Sequence, residues 1–297
     1  KKSNAGRKPF NRLMMFRILI LGALYNLSDE QLAYQIKDRL SFMRFLNVDL
    51  TDALPDAKTI WHYRETLIKA GVVDKLFDRF NAYLNAQGFK ASLGTIVDAS
   101  IVEVPKQRNS REDNAMIKSG ETPESFKENP HMLRQKDMDA RWTRRHGARY
   151  FGYKDHIAID TKHKLIRSYL VSHAAAADIH FLEPLLDKAK PEDKRVWADG
   201  AYYSKAQETS LETSGYQSRI VNRRAGKQPQ SSVLKQMNRR YSKIRVRVEH
   251  IFGFMKNSMA GKFIRTVGIR RAKAKIGLMN LVYNLCRYEQ LCRMPAK

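Results

Sequence analysis

Three acidic residues, far apart in the sequence, are of the type that can hold divalent metal ions together. Asp98 follows the apolar run TIV and Asp199 ends the run RVWAD, so each is predicted to lie at the end of a strand. Glu249 lies within the predicted helix RRYSKIRVRVEHIFGFMK. Arg245 precedes it by four residues and Lys256 follows it by seven, which places all three along one helix face. The combination suggests metal-assisted phosphodiester chemistry on DNA.

Each acid also has an ordinary structural interpretation when it is taken alone. An aspartate after a strand is most often a turn or helix-cap residue. Glu249 could simply form an ion pair with Arg245, four residues away, which stabilises an exposed helix by only about 0.3–0.5 kcal/mol. The three acids become specific only in combination, in this order and with Arg245 and Lys256 on either side of the last one.

The charge of the chain favours a polyanionic partner. Its 297 residues carry a formal net charge of +25, far more than solubility requires. Residues 201–297 hold 21 Lys and Arg residues against 4 Asp and Glu residues, and these cations alternate with apolar residues at helical spacing. Cys286 and Cys292 lack the spacing of a zinc site, so a reducing cytoplasm is expected.

No membrane segment is expected. The apolar stretch from Leu13 to Leu27 is shorter than the roughly 20 residues that span a bilayer, and it contains Arg17 and Asn26. It therefore predicts a buried helix. No secretion signal is recognisable, and because the chain begins with Lys1 rather than Met, a trimmed or engineered start is expected.

Residues 1–90 are predicted to form an all-helical module for DNA binding or dimerisation. Ser28 and Gln31 form a predicted capping box, and Gly71 and Gly88 stand where helices should stop. The segment KTIWHYRETLIKA has two interpretations of equal weight. It could be a recognition helix in a helix-turn-helix-like layout, or a packing helix with its apolar residues in a core. The DNA-facing residues in the first case are Lys58, Trp61, His62 and Arg64.

Residues 91–297 predict an α/β domain, a mixed sheet flanked by helices. Strands are expected in LGTIVDAS, RYFGYKDHIAID, KLIRSYLVS, RVWAD and SRIVN. Helices are expected over 178–189 and 204–213, then the long helix bearing Glu249, and finally an amphipathic helix over 270–291. Residues 105–148 are polar and mixed in charge, and we interpret them as an insertion loop.

The segments WADGAYYS, YFGYKDHIAID and RVRVEHIFGFMK resemble DDE transposases of bacterial insertion sequences, in the group called the IS-five family. The family signature is Tyr, two residues, Arg, three residues, Glu, six residues, Lys. Arg245, Glu249 and Lys256 keep that spacing, whereas Tyr241 lies one position too early. The resemblance implies an RNase H-like fold with Asp98, Asp199 and Glu249 as catalytic and metal-binding residues, which hold two Mg²⁺ or Mn²⁺ ions.

The same resemblance implies an enzyme that binds the terminal inverted repeats of an insertion sequence, cleaves at its ends and joins the 3′-hydroxyls to target DNA. Its partners would be double-stranded DNA and further copies of itself, in a bacterial, nucleoid-associated setting. A catalytically inactive repressor or architectural protein and a metal-dependent nuclease without strand transfer are the alternatives. The cations predicted to contact DNA in this domain are Arg223, Arg224, Arg239, Arg240, Arg245, Arg247 and Lys256.

Overall fold

The computed structural model describes residues 9–221 and 231–293. Its N-terminal part is helical, as the sequence predicts. Asn11, Ser28 and Asp56 each accept hydrogen bonds from the backbone N–H groups that open a helix, and Ser28 and Gln31 form the predicted capping box. Gly71 and Gly88 take left-handed backbone conformations just after helices, as expected. The helices are α1 (Arg12–Leu24), α2 (Asp29–Asp38), α3 (Leu40–Leu46), α4 (Ala57–Lys69) and α5 (Val72–Ala86).

A mixed sheet of six strands forms the centre of the molecule. Its strands are β1 (Thr95–Glu103), β2 (Arg141–Arg145), β3 (Ala148–Asp160), β4 (Ile166–His173), β5 (Arg195–Ala198) and β6 (Gln217–Ile220). The order across the sheet is β2-β3-β1-β5-β6, and β4 also pairs with β3. The pairs β1–β5 and β5–β6 are parallel, whereas the pairs that involve β3 are antiparallel. This confirms the predicted α/β class, with a helical region before a sheet flanked by helices.

The segment 105–148 is not the loop that its polar composition suggests. Ser110 and Asp113 form a capping box at the start of its first helix, and Asn129 caps a later one. Short helices can form in so polar a stretch because such caps satisfy the N–H groups that open a helix. The segment contains α6 (Arg111–Ser119), α7 (Glu124–Lys127), α8 (Pro130–Gln135) and the strand β2.

The remaining helices cover both faces of the sheet. One face carries a 3₁₀ turn (Asp178–Phe181), α9 (Leu182–Ala189) and α10 (Lys205–Thr213), whose apolar residues form a core with Val97 and Val196. The other face carries α12 (Arg247–Gly253) and α13 (Ile269–Arg293), which share a larger core with α1, α2 and α5. None of the helices in the described part of the chain combines the length and the apolar character needed to cross a bilayer.

Two predicted helices differ from expectation. The helix with Glu249 is interrupted, because α11 (Ser232–Arg245) ends at Val246 before α12 begins, and a π-helical turn (Phe254–Ser258) follows. The C-terminal helix is predicted to be amphipathic, but every residue from Ile276 to Asn284 is buried. Its middle is covered on all sides, because α1 and α5 pack on the surface that the sheet leaves open.

Two buried asparagines attach α13 to the sheet. The Asn284 side chain accepts a hydrogen bond from the Ile166 N–H at 2.9 Å and donates one to the Ile166 carbonyl at 2.8 Å. Asn280 Nδ2 donates to Asp155 Oδ1 at 3.0 Å. Asp155 Oδ2 and Asn280 Oδ1 are both buried without a hydrogen-bond partner among the described residues. A proton on Asp155 would supply the missing donor between these two oxygens.

Asp155 is therefore expected to make the stability of the folded protein depend on pH. Burial raises the pKa of its carboxyl to about 7, and only the Asn280 hydrogen bond opposes that rise. Since the unfolded chain loses this proton near the ordinary pKa of about 4, the stability due to Asp155 is complete below pH 4 and is lost between about pH 4 and pH 7. Asp155→Asn keeps the hydrogen bonds without a charge, so its melting temperature should exceed that of the parent increasingly from pH 5 to pH 7 and by a constant amount above that.

The gain in unfolding free energy of Asp155→Asn over the parent should reach at most about 4 kcal/mol, because each unit of pKa difference corresponds to about 1.4 kcal/mol. Asp193→Asn is the matched control. The Arg195 hydrogen bond lowers the pKa of Asp193, so that substitution should not stabilise at higher pH. A melting-temperature difference for Asp155→Asn that stays constant with pH would contradict the assignment.

Candidate active site

The strands β1 and β5 bring two of the predicted acids together. Their parallel register pairs Thr95 with Val196 and Ile96 with Trp197. Two residues further along each strand stand Asp98 and Asp199. Side chains alternate along a strand, so both carboxylates lie on the face that Ile96 and Trp197 cover, on chains roughly 4.8 Å apart.

Asp199 follows β5 as predicted, whereas Asp98 does not end its strand. β1 continues to Glu103, because residues 99–103 keep pairing with β3 after the pairing with β5 has stopped. Asp98 therefore lies where β1 and β5 separate, a position at which open α/β sheets form a crevice. Asp199 Oδ1 accepts a hydrogen bond from the Ala201 N–H at 2.8 Å, which starts a short 3₁₀ turn.

Arg245 connects Asp98 to the third acid. Its Nη1 lies 2.9 Å from Asp98 Oδ2, and its Nη2 lies 3.1 Å from Glu249 Oε1. The bond to Glu249 spans four residues despite the helix break at Val246, so the predicted i,i+4 contact is present. Asp98 has a side chain 12% exposed, while that of Glu249 is 56% exposed. Glu249 thus stands at the solvent edge of the crevice and Asp98 at its floor.

The electrostatics of Asp98 reflect this position. Burial raises the pKa of its carboxyl to about 6. The Ala99 N–H, Arg245 and Arg145 act in the opposite direction, while Asp199 raises the pKa further. The two aspartates therefore interact electrostatically across the β1–β5 pair.

Lys256 also reaches this region. Burial lowers the pKa of its ammonium group, Arg145 and Lys262 lower it further, and Asp98 opposes them. The side chain lies over the Phe252 ring, with Nζ 5.8 Å from the ring centroid. Lys256 is therefore near Asp98, although it reaches that position from the π-helical turn rather than from a continuous helix.

The residue types of this site fit a divalent metal ion, because carboxylate oxygens are the ligands that Mg²⁺ and Mn²⁺ prefer. Asp98 and Asp199, on neighbouring strands and one face, are the pair best placed to share a cation. Within the described residues, however, no three His, Cys, Asp or Glu side chains are grouped closely enough to hold a metal ion. The Arg245 guanidinium bonds to the carboxylates of both Asp98 and Glu249.

The other residues predicted to contact DNA have varied surroundings. Lys58, Trp61 and His62 are exposed on α4, whereas Arg64 forms an ion pair with Asp29. Arg239 and Arg240 are exposed on α11. Arg247 Nη1 donates to the Thr161 carbonyl at 2.7 Å and so attaches α12 to the turn after β3. Arg223 and Arg224 lie outside the described residues.

Two residues near the acids are missing from the sequence-based set. Arg145, at the end of β2, acts electrostatically on Asp98 and Lys256. Tyr202 is buried, and Asp98 and Asp199 both act on its hydroxyl. No spacing rule relates them to the acids. The acid-free stretch RWTRRHGARYFGYK, with a tight-turn pair His146-Gly147, is the signal that could have identified Arg145.

Two models of protein families match the chain. A family model described as the transposase DDE domain matches residues 90–285, which include all three acids and Arg245. The chain belongs to the DDE transposase family. A second model, a transposase domain of the DUF772 type, matches residues 1–66 within the helical region. No solved structure matches the chain.

The candidate site should show a measurable energetic coupling between its side chains. Arg245 contacts one buried and one exposed carboxylate, and a charged hydrogen bond is worth more where water is excluded. In a double-mutant cycle on unfolding, Arg245→Gln and Asp98→Asn should couple by about 1–3 kcal/mol. Arg245→Gln and Glu249→Gln form the matched cycle and should couple by at most about 0.5 kcal/mol. Equal couplings in denaturant titrations would contradict the assigned burial.

Proposed function

We propose that this transposase cleaves DNA at the ends of an insertion sequence of the IS-five family and joins the 3′-hydroxyl ends to target DNA. The observation that supports the proposal is the β1–β5 register, which brings Asp98 near Asp199, together with the link from Asp98 to Glu249 through Arg245. The Glu249 side chain is 56% exposed, so a phosphodiester can approach the site from solvent.

Asp98 and Asp199 would hold divalent ions on the floor of the crevice, with Glu249 completing the set from its edge. When bound, two such ions supply activation of the attacking oxygen and stabilisation of the leaving oxygen. Arg245 would orient the scissile phosphate, since its fork of N–H donors matches phosphate oxygens. Lys256 adds positive charge on the same side without reading the base sequence.

The helical region would recognise the terminal inverted repeats. Lys58, Trp61 and His62 are exposed on α4 at positions that share one side of a helix. Exposure of a tryptophan at 43% suits a surface that is covered in a complex. Because two element ends must be brought together, the active form would be a homodimer or a larger assembly in the bacterial nucleoid.

An inactive DNA-binding repressor is the second candidate. The observation in its favour is the Arg245 ion pair, which leaves no grouped set of three acids among the described residues. A metal-dependent nuclease that cuts without joining has the same site requirements as the transposase. Assays of strand transfer, cleavage and binding distinguish the transposase, the nuclease and the repressor.

A strand-transfer assay tests the chemistry. With Mg²⁺ and a duplex that carries the element ends, the parent protein should give joined products. Asp98→Asn, Asp199→Asn and Glu249→Gln should each lower the cleavage rate by at least about 100-fold, the effect of removing one transition-state-stabilising group. Binding should persist, because each change removes a negative charge from a DNA-facing surface. Glu212→Gln, an exposed acid on α10, is the control and should retain full activity.

Cleavage without joining would identify the nuclease. Binding without cleavage by the parent protein would identify the repressor. Full activity in Glu249→Gln would remove that residue from the site.

Recognition by α4 is tested separately from chemistry. The double variant Lys58→Ala/His62→Ala should weaken binding to the element-end duplex at least about 5-fold, since a lost specific contact costs about 1–3 kcal/mol. Fluorescence anisotropy against a scrambled duplex of equal length should show a smaller loss. Lys75→Ala, an exposed cation on α5, is the matched control. Equal losses in Lys58→Ala/His62→Ala and Lys75→Ala would make α4 a packing helix, whereas equal losses on both duplexes would show that α4 contacts DNA without reading its sequence.

A further inference from the structure

The hairpin formed by β2 and β3 is an unusually basic arm next to the active site. Residues 141–154 contain four arginines and one lysine and have no Asp or Glu. The tip, residues 144–149, is exposed throughout. Among the described residues, Arg144, Arg145 and Arg149 form no side-chain hydrogen bond or ion pair. A concentration of unpaired cations on an ordered element indicates a partner with negative charge.

The tip of the arm is a tight turn. Arg145 pairs with Ala148, so only His146 and Gly147 connect the strands. Both have positive φ, 50° and 80°, which is the type I′ geometry that matches the twist of a hairpin. The arginines on either side of the turn are therefore held by paired strands.

A glycine lets the arm leave the sheet. Gly152 has φ 154°, and a Cβ there would lie 2.2 Å from the Val102 carbonyl oxygen. Gly152 pairs with Glu103, which is the last residue of β1 that pairs with β3. The Glu103 N–H donates to the Lys262 carbonyl at 2.8 Å. One backbone hydrogen bond lies beyond Gly152, from the Val104 N–H to the Phe151 carbonyl at 3.1 Å, and among the described residues the tip 144–149 is paired only within the hairpin.

The two sides of the arm carry different residues. Trp142 and Phe151 pack on one side with ring centroids 5.2 Å apart, and Arg144 and Arg149 are directly opposite one another on that same side. Arg145 alternates to the other side. It is close enough to Asp98, Lys256 and Tyr202 to influence the pKa of each. Arg145 thus defines the inner side of the arm, and Arg144 and Arg149 define its outer side.

The opposed arginines are unfavourable in isolation. Like charges directly across a strand pair repel each other and destabilise the hairpin. A phosphate backbone against the outer side would remove this repulsion, because each guanidinium would then face an anionic oxygen. Double-stranded DNA supplies such a row of phosphates at regular spacing.

We propose that the β2–β3 hairpin is a DNA-contacting arm, with Arg144 and Arg149 on flanking phosphates and Arg145 on a phosphate beside the cleaved bond. This inference rests on the proposed function for the identity of the substrate. It divides the arm into an outer side that supplies affinity and an inner side that positions the reacting phosphate. The two sides should therefore differ in their effects on binding and on rate.

Salt dependence tests the outer side. Arg144→Gln/Arg149→Gln should make the slope of log K against log salt less steep by about 1.8, since each phosphate contact contributes about 0.9. The probe is a 30-base-pair duplex of mixed sequence. Lys75→Gln/Arg79→Gln removes two exposed charges from α5 and should leave the slope unchanged.

Single-turnover cleavage tests the inner side. Arg145→Gln should lower the rate at saturating protein by at least about 10-fold while changing the salt slope by at most about 0.9. Arg145→Lys should recover part of the rate. Melting temperatures within about 2 °C of the parent would show that the variants fold.

A photo-crosslinking amino acid at His146 gives a third readout that needs no catalysis. It should crosslink to DNA, whereas the same group at Arg79 should not. If the parent protein binds DNA but does not cleave it, the proposed function fails. The salt slope and the crosslink still test whether the hairpin contacts DNA. An unchanged slope in Arg144→Gln/Arg149→Gln together with no crosslink at position 146 would overturn the inference.

Discussion

The short parallel pairing of β1 with β5 is the interaction on which the candidate active site depends. Only Thr95 and Ile96 are paired with β5, yet their register decides that Asp98 and Asp199 stand side by side. Burial of both faces fixes this register, because Val97 and Val196 lie in one core while Ile96 and Trp197 lie in the other. A shift of one residue would turn Asp98 into the opposite core, where a charge is costly.

The helix α13 makes that sheet part of a larger body. Gly277 allows close packing on β4, since a Cβ there would lie 2.2 Å from the Tyr169 hydroxyl. Asn284 bonds the backbone of Ile166 on the same strand. The helix has α1 and α5 on its other sides, so the N-terminal helices and the active-site face share one apolar core. Displacement of the N-terminal helices would thus disturb the layer that supports α12 and Glu249.

The sequence predicts what depends on local apolar pattern and misses what depends on distant contacts. The helical N-terminal region, the strands and the adjacency of three acids to helices or strands follow from periodicity. The continuation of β1 past Asp98 depends on β3, and the complete burial of α13 depends on α1 and α5. The helices of 105–148 depend on helix caps that are not distinguished from loop residues by a polar composition. Because the segment is interpreted as a loop, the hairpin that carries Arg145 is not predicted. The division of the chain at residue 90 stays a prediction, because one core crosses it.

Charge balance at Asp98 explains why one arginine occupies the centre of the site. A carboxylate with 12% of its side chain exposed requires a nearby cation when it is ionised, and Arg245 supplies it from 2.9 Å. Arg245 can leave Asp98 only if another positive charge replaces it there. Its second bond, to the exposed Glu249, would keep it at the solvent edge of the crevice. The N–H groups that Arg245 no longer donates to Asp98 would then be available to an incoming phosphate. The bond to Glu249 would hold Arg245 in place while its other partner changes from Asp98 to the phosphate.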